Sequence, residues 1–383
     1  MRKIKLKYIW LSAVLLILEC GVDSEVKAEE INVSAKSSIL ICADSGDVVW
    51  SKNEHEPLPI ASTTKIMTSL LTIEHSQAEN KDVEITDEMV RVEGTSMGLR
   101  AGDVIKLKEL AKGMLLPSGN DAANAAAIAI SGTTEKFSEL MNEKAHQIGM
   151  KNTNFVTPSG LDSGDHHSTA YDMAILGAFA MENEEFSNIA SKKSMKVNFV
   201  NPSKSVNLSN HNKLLRLYDG CIGIKTGFTK AAGRCLVSCA QKDGVRLVAV
   251  TLNAPNDWDD HKTLYDYGFK NTISKEFDDR NFRTSIPVKD GIVDDVSLAG
   301  TTSFVRTFKL GDENKITRKI EMDDYCVAPI ERGQIVGKVV YYFGDKKIGE
   351  NNIISEQDIA EKKVERGKLA QIWDFIKNLF SKK

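Results

Sequence analysis

Ser62 and Lys65 are the residues of this 383-residue chain whose types and spacing most directly allow covalent chemistry. They lie in Ala61-Ser62-Thr63-Thr64-Lys65-Ile66-Met67-Thr68, where Ile66, Met67, Leu70 and Leu71 recur at helical spacing and Pro59 stands upstream, as at a helix start. Positions i and i+3 of a helix lie roughly 5–6 Å apart at Cβ, so the lysine amine can fold back onto the serine hydroxyl. That puts a nucleophile beside a base. Alone, the spacing arises by chance in many helices, where a serine cap followed by a solvated lysine is the plain reading. Two further stretches weigh against it: Ser118-Gly119-Asn120, after the apolar run ending Leu115-Leu116-Pro117, and Lys225-Thr226-Gly227, between two segments that read as strand.

The elements around these residues must bring three distant pieces together. Ser38 to Ala43 and Val48-Val49-Trp50, joined by Asp44-Ser45-Gly46-Asp47, read as a hairpin, and Val83 to Ile85 as a short strand. Gly94, Gly98 and Gly102 mark turns in the loop that follows. Leu107 to Leu116 is periodic and helical. Asp121 to Ile130, nearly all Ala and Ile, is too short to span a membrane and reads as a core helix packed through small side chains. Ser118-Gly119-Asn120 therefore occupies a bend between two helices, where its polar groups can point out of an apolar body. An Asx or Ser turn capping the second helix is compatible with the same residues.

Further on, Glu135 to Met150 is helical, and His166 and His167 fall in the loop leading to a helix that starts near Thr169, not in a proton-transfer arrangement. Gly227 lets a substrate approach the backbone, and Lys225 presents a fixed positive charge. Arg234 to Gln241 and Val245 to Leu252 form a second strand pair around Lys242-Asp243-Gly244, and Asp260 to Phe269 is an amphipathic closing helix. Helices on an antiparallel sheet make an α+β architecture.

Composition bounds the rest. The chain is long enough for two domains, and 27% charged residues with a net charge of −3 give no basic bias toward nucleic acid. Arg2, Lys3, Lys5 and Lys7 precede an apolar run from Tyr8 to Leu18, and Val26-Lys27-Ala28 offers a cleavage site, so residues 1–28 read as a signal peptide. Its loss removes five basic and three acidic residues and leaves a net charge of −5. Five cysteines then remain without CxxC spacing, so neither a disulfide framework nor a zinc site is expected, and the histidines give no metal spacing. Cys235 and Cys239 share one strand face and read as buried.

From about Ser274 the texture changes to short alternating strands: Thr284 to Val288, Ser303 to Phe308, Ile316 to Met322 and Val336 to Phe343. The expected organisation is a catalytic domain over 29–274, a small β-rich domain over 275–360, and a last helix over 361–383. In that helix Leu369, Ile372, Trp373, Ile376, Leu379 and Phe380 share one face opposite Lys368, Gln371, Asp374, Lys377, Asn378 and Lys382. Such a helix can lie in a membrane interface without spanning it, or dock on its own β domain or a partner.

With these residues in view, the chain resembles the low-molecular-mass penicillin-binding proteins that act as serine-type D-alanyl-D-alanine carboxypeptidases. Ser62-Thr63-Thr64-Lys65, Ser118-Gly119-Asn120-Asp121, Asn212-Lys213-Leu214-Leu215 and Gly223-Ile224-Lys225-Thr226-Gly227 look like that family's motifs, in its order. The resemblance implies a β-lactamase/transpeptidase-like α+β fold with a second, all-β domain and a C-terminal amphipathic helix. It implies that Ser62 is the nucleophile, Lys65 its base and Ser118 a proton relay. Asn120 would orient Lys65 and the substrate amide, and Lys225 with Thr226 would hold the substrate carboxylate. Gly227 gives backbone access, and the N–H groups of Ser62 and Phe228 form the oxyanion hole. Relatives carry His or Tyr where this chain has Phe228, which bears on substrate preference and not on the N–H.

The implied substrate is the peptidoglycan pentapeptide, with β-lactams as acylating inhibitors, no metal and no cofactor. The implied location is the outer face of the bacterial cytoplasmic membrane, held peripherally through the last helix. Rival readings are a β-lactamase, a muropeptide endopeptidase of the same superfamily, and a catalytically silent penicillin- or peptidoglycan-binding protein. A class A β-lactamase carries an added deacylating acid before K-T-G that has no clear equivalent here.

Overall fold

The strand Ser37–Cys42 is buried along its whole length, because both faces of the sheet it belongs to are covered by helices. The structure is a computed structural model that describes residues 31–363. The expected signal peptide over 1–28 lies outside the described residues, as does the expected last helix apart from Glu361, Lys362 and Lys363. Among the described residues no helix is long and apolar enough to cross a membrane.

The central sheet has five antiparallel strands in the order Val48–Lys52, Ser37–Cys42, Val245–Leu252, Gly233–Lys242, Cys221–Thr229. Ile39 faces Ser51 on one side and Val250 on the other. The expected hairpin and strand pair are both present. Cys221–Thr229, which carries Lys225-Thr226-Gly227, is an edge strand. Helix Ala170–Glu182 covers one face and helix Asp257–Asn271 the other. Each meets the sheet through a glycine: a Cβ on Gly177 would stand 3.0 Å from Val237, and one on Gly268 would stand 2.6 Å from Leu40 and Leu247. Cys235 and Cys239 are fully buried between them, as their spacing implies.

A helical half packs against the sheet edge. Its centre is the helix Lys65–Ala78, which is preceded by a single 3₁₀ turn, Ala61–Thr64, so that Ser62 lies in the turn and not in the helix proper. The i, i+3 relation to Lys65 survives because 3₁₀ geometry also stacks those positions. Leu107–Leu115 and the alanine-rich Asn120–Ser131 flank it, with Ala122, Ala123, Ala125, Ala126 and Ala127 all fully buried. Gly94, Gly98 and Gly102 all take positive φ, as the turn reading required.

There is also a second small sheet, of which the sequence announced only the strand near Val83. It pairs Asp82–Glu84, Val104–Lys106, Ser194–Asn201 and Lys204–Ser209 in that order. Beyond Asn271, strand Thr272–Asp278 pairs with Ser303–Lys309, and a six-stranded sheet follows the order 316–322, 335–343, 346–355, 295–300, 283–289, 326–327. Its two edge strands are joined by Asp323, Asp324 and Tyr325 alone, which draws them together at one end. Phe277, Val296, Leu298, Val339, Tyr341 and Ile353 fill this all-β unit. It meets the central sheet at the first hairpin turn, where Thr307 N–H donates to Asp44 at 2.6 Å and Arg306 pairs with Asp47 at 3.4 Å.

Candidate active site

The edge strand runs beside the 3₁₀ turn so closely that a Cβ on Gly227 would stand 3.0 Å from Ile60 O, Ser62 N and Thr63 N. A glycine is what permits that approach. Ala61, just before the serine, takes φ +49°, and Gly160 at φ +78° packs against its carbonyl, so the turn is wedged between two backbones.

Lys65 is fully buried, and its Nζ donates to Ser62 Oγ at 2.8 Å and to the Ser159 carbonyl at 2.6 Å. Burial, and after it the Lys225 ammonium, holds the Lys65 amine well below the ordinary lysine range, with Asp121 opposing. Lys225 is also buried. Its Nζ donates to the Thr226 carbonyl at 2.7 Å, and burial pushes its pKa down to about 7.

Ser118 occupies the bend between helices at φ +67°. Its carbonyl accepts from Thr95 Oγ1 at 2.6 Å, and Asn120 N–H donates to Thr95 O at 2.7 Å. The neighbouring Asp121 is buried and gathers the glycine loop, accepting from Ser96 Oγ at 2.6 Å and from the N–H groups of Met97, Gly98 and Leu99 at 2.9, 3.1 and 3.0 Å. Asn120 donates through Nδ2 to Glu93 O at 2.7 Å, while its buried Oδ1 has no partner. The hydrogen bonds of Lys65 run to Ser62 and Ser159, so neither Ser118 nor Asn120 is bonded to it in this state.

Together these residues border a cleft of about 370 Å³, lined by Ser62, Ser118, Asn120, Thr226, Gly227 and Phe228, with Lys65 and Lys225 behind its wall. The segment Asn210–Leu215 closes one side. There Asn212 Oδ1 accepts from Leu214 N–H at 3.0 Å, and His211 lines the cleft, its pKa lowered by burial and then by Lys225.

Sequence reasoning placed His166 in the loop before a helix but missed that this loop, over 156–168, ties the site together. His166 Nδ1 accepts from Val156 N–H at 2.9 Å and Thr157 N–H at 3.3 Å, so its hydrogen sits on Nε2, 2.8 Å from Thr64 Oγ1. Burial, and then His167, lowers its pKa to about 4, so the ring is neutral at physiological pH. From the same loop Asp162 accepts from Thr229 Oγ1 at 3.0 Å, linking it to the edge strand. His166 thus does belong to the loop before the helix, but as its buried clamp. Arg234 and Trp258, at the cleft mouth, also went unread.

Comparison with known proteins agrees with this geometry. The family profile described as D-alanyl-D-alanine carboxypeptidase matches residues 24–256, and that of the penicillin-binding protein 5 C-terminal domain matches 275–361. The chain is 34% identical over 344 residues to D-alanyl-D-alanine carboxypeptidase DacF of Bacillus subtilis, covering 88% of each protein. It is 31% identical to DacC of Escherichia coli, covering 92% of this chain and 90% of that one. Penicillin-binding protein 5 from Haemophilus influenzae superposes with a TM-score of 0.66 at 30% identity, over 87% of this chain and 99% of that structure. By the reach of the family match and the identity to these relatives, the chain belongs to the D-alanyl-D-alanine carboxypeptidase family.

Proposed function

We propose that the protein removes the terminal D-alanine from peptidoglycan pentapeptide stems through a serine acyl-enzyme. The observation that carries this reading is the 2.8 Å contact between Ser62 Oγ and a fully buried Lys65 Nζ. A lysine titrates near 10.4 in water, so it is a base at neutral pH only where the protonated form is disfavoured. Burial and Lys225 supply that.

In this mechanism neutral Lys65 accepts the Ser62 proton as Oγ bonds to the carbonyl carbon of the penultimate D-alanine. The oxyanion is held by the N–H groups of Ser62 and Phe228, each such donor being worth a factor of about 10²–10³. Collapse breaks the C–N bond, and the proton passes through Ser118 to the departing amine. Water then attacks the ester, gives its proton to Lys65, and Ser62 recovers its own. Asn120, with its unpartnered Oδ1, accepts from a substrate amide. Lys225 and Thr226 hold the terminal carboxylate, and Gly227 keeps the strand close. A β-lactam acylates the same serine and reports on it.

Export through residues 1–28 and peripheral membrane attachment through 361–383 complete the reading. They rest on the sequence pattern alone, and fractionation of cells carrying the full chain and a chain ending at 363 tests the second.

The deciding experiment is mass spectrometry of a disaccharide pentapeptide after incubation with wild type and Ser62→Ala, alongside labelling by a fluorescent penicillin. Loss of one alanine with wild type only supports the proposal. Labelling without release favours a binding protein, and fast penicillin turnover favours a β-lactamase.

A further inference from the structure

Because Cys221–Thr229 is an edge strand, its free side faces the cleft, and an extended peptide can add to it as a further strand. If the terminal carboxylate lies at Lys225 and Thr226 and the scissile carbonyl beside Ser62 and Gly227, the upstream residues run past Phe228 toward Thr229. With about 3.3 Å per residue, the one before the two terminal alanines arrives level with that pair. Phe228 is cross-strand to Arg234, and Thr229 to Gly233.

Arg234 is a built feature of that mouth. Its Nε and Nη2 donate to the two oxygens of Asp257 at 2.9 and 3.0 Å, and its guanidinium lies 5.4 Å from the Trp258 ring centre. Asp257 is the first residue of helix Asp257–Asn271 and also accepts from the Trp258 N–H at 3.0 Å. The Asp257 side chain is 3% exposed and that of Arg234 41% exposed, so the carboxylate is an internal counter-ion while the guanidinium opens on the cleft. Nη1 has no protein partner among the described residues. Lys213 adds a second cation to the lining, and the exposed Asp162 already accepts from Thr229.

We propose that Arg234, steadied by Asp257 and Trp258, is a specificity-determining residue that selects peptides carrying a free carboxylate on the residue before the two terminal alanines. A planar guanidinium with one edge fixed and the other free matches a carboxylate, and it repels an ammonium at the same place. The inference rests on the carboxypeptidase reading and names the kind of stem peptide that the cleft takes.

The test uses two acetylated tripeptides ending in D-alanyl-D-alanine. One has diaminopimelate and the other lysine as first residue, with both amino groups blocked, so they differ by one carboxylate. Wild type should favour the diaminopimelate peptide in kcat/KM by about tenfold or more, the usual scale of a charge-assisted hydrogen bond. Arg234→Gln should erase that preference while leaving turnover of the lysine peptide within about twofold. Because that variant strands a buried carboxylate, Arg234→Gln/Asp257→Asn is the folded control and should behave alike. Equal loss on both peptides in both variants, or a preference that survives them, overturns the proposal. Cleavage of neither peptide by wild type strikes the carboxypeptidase reading itself.

Discussion

The Ser159 carbonyl accepts a hydrogen bond from Lys65 Nζ at 2.6 Å, across 94 positions of sequence. Lys65, the proposed base, is thereby aimed at Ser62 by the backbone of a separate loop. His166 holds that loop to Thr64 of the 3₁₀ turn that carries Ser62. His166→Ala removes the clamp and leaves the Val156 N–H without its acceptor, which should cost about 1–3 kcal/mol in urea unfolding and lower kcat more than it raises KM. A variant that keeps wild-type kcat would show that the clamp is dispensable.

Stability should fall in mild acid. Burial holds the folded pKa of His166 at about 4 and that of His261, fully buried against Ser238 and Thr251, at about 3, below the ordinary histidine value of 6.5. In the unfolded chain they bind protons first, so their contribution is complete above pH ~6.5 and drains away as pH drops toward 4. Urea titrations at pH 7 and pH 5 should show the loss, and His166→Ala should show a smaller one.

Activity against pH should be bell-shaped. Lys65 must be neutral, so the rising limb lies well below the ordinary lysine value. Lys225 must be charged to hold a carboxylate, and its pKa of about 7 sets the falling limb of kcat/KM. Lys225→Met should abolish most activity yet raise Tm near pH 6, by about 2–4 °C per kcal/mol of relieved desolvation. The gain should shrink by pH 9, where the wild-type side chain is already neutral in the folded protein and still charged in the unfolded one.

Gly227→Ala places a methyl 3.0 Å from Ile60 O, Ser62 N and Thr63 N at the 3₁₀ turn. Strand or turn must give by a few tenths of an ångström, which should lower kcat by roughly tenfold, short of the 10²-fold that a misplacement of about 1 Å costs. Circular dichroism should stay unchanged, since the strand keeps its pairing with Gly233–Lys242.

Asp121→Asn exchanges one acceptor oxygen for a donor where four loop donors converge. Limited proteolysis should cut faster between residues 94 and 103, and penicillin acylation should slow by an order of magnitude or more, about the 1–3 kcal/mol of an unsatisfied donor.

What the sequence made legible follows from locality. Ser62 and Lys65 are one turn apart, and the glycines at 94, 98 and 102 announce their own φ, so periodicity and turn chemistry reach them. The hairpin Ser194–Asn201 and Lys204–Ser209 is mostly polar and presents no clean alternation, so it escaped. His166 and Ser159 act on residues about 100 positions away, a relation that no local pattern encodes. Arg234 reads as an ordinary strand residue until Asp257 appears beside it.

The glycine contact between strand and turn divides the proposed catalytic apparatus between two bodies: Ser62, Lys65 and Ser118 ride on the helical half, Lys225 on the sheet. Competence therefore belongs to their docking. A solvent or temperature that merely loosens that seam would silence the protein while its ellipticity is still intact.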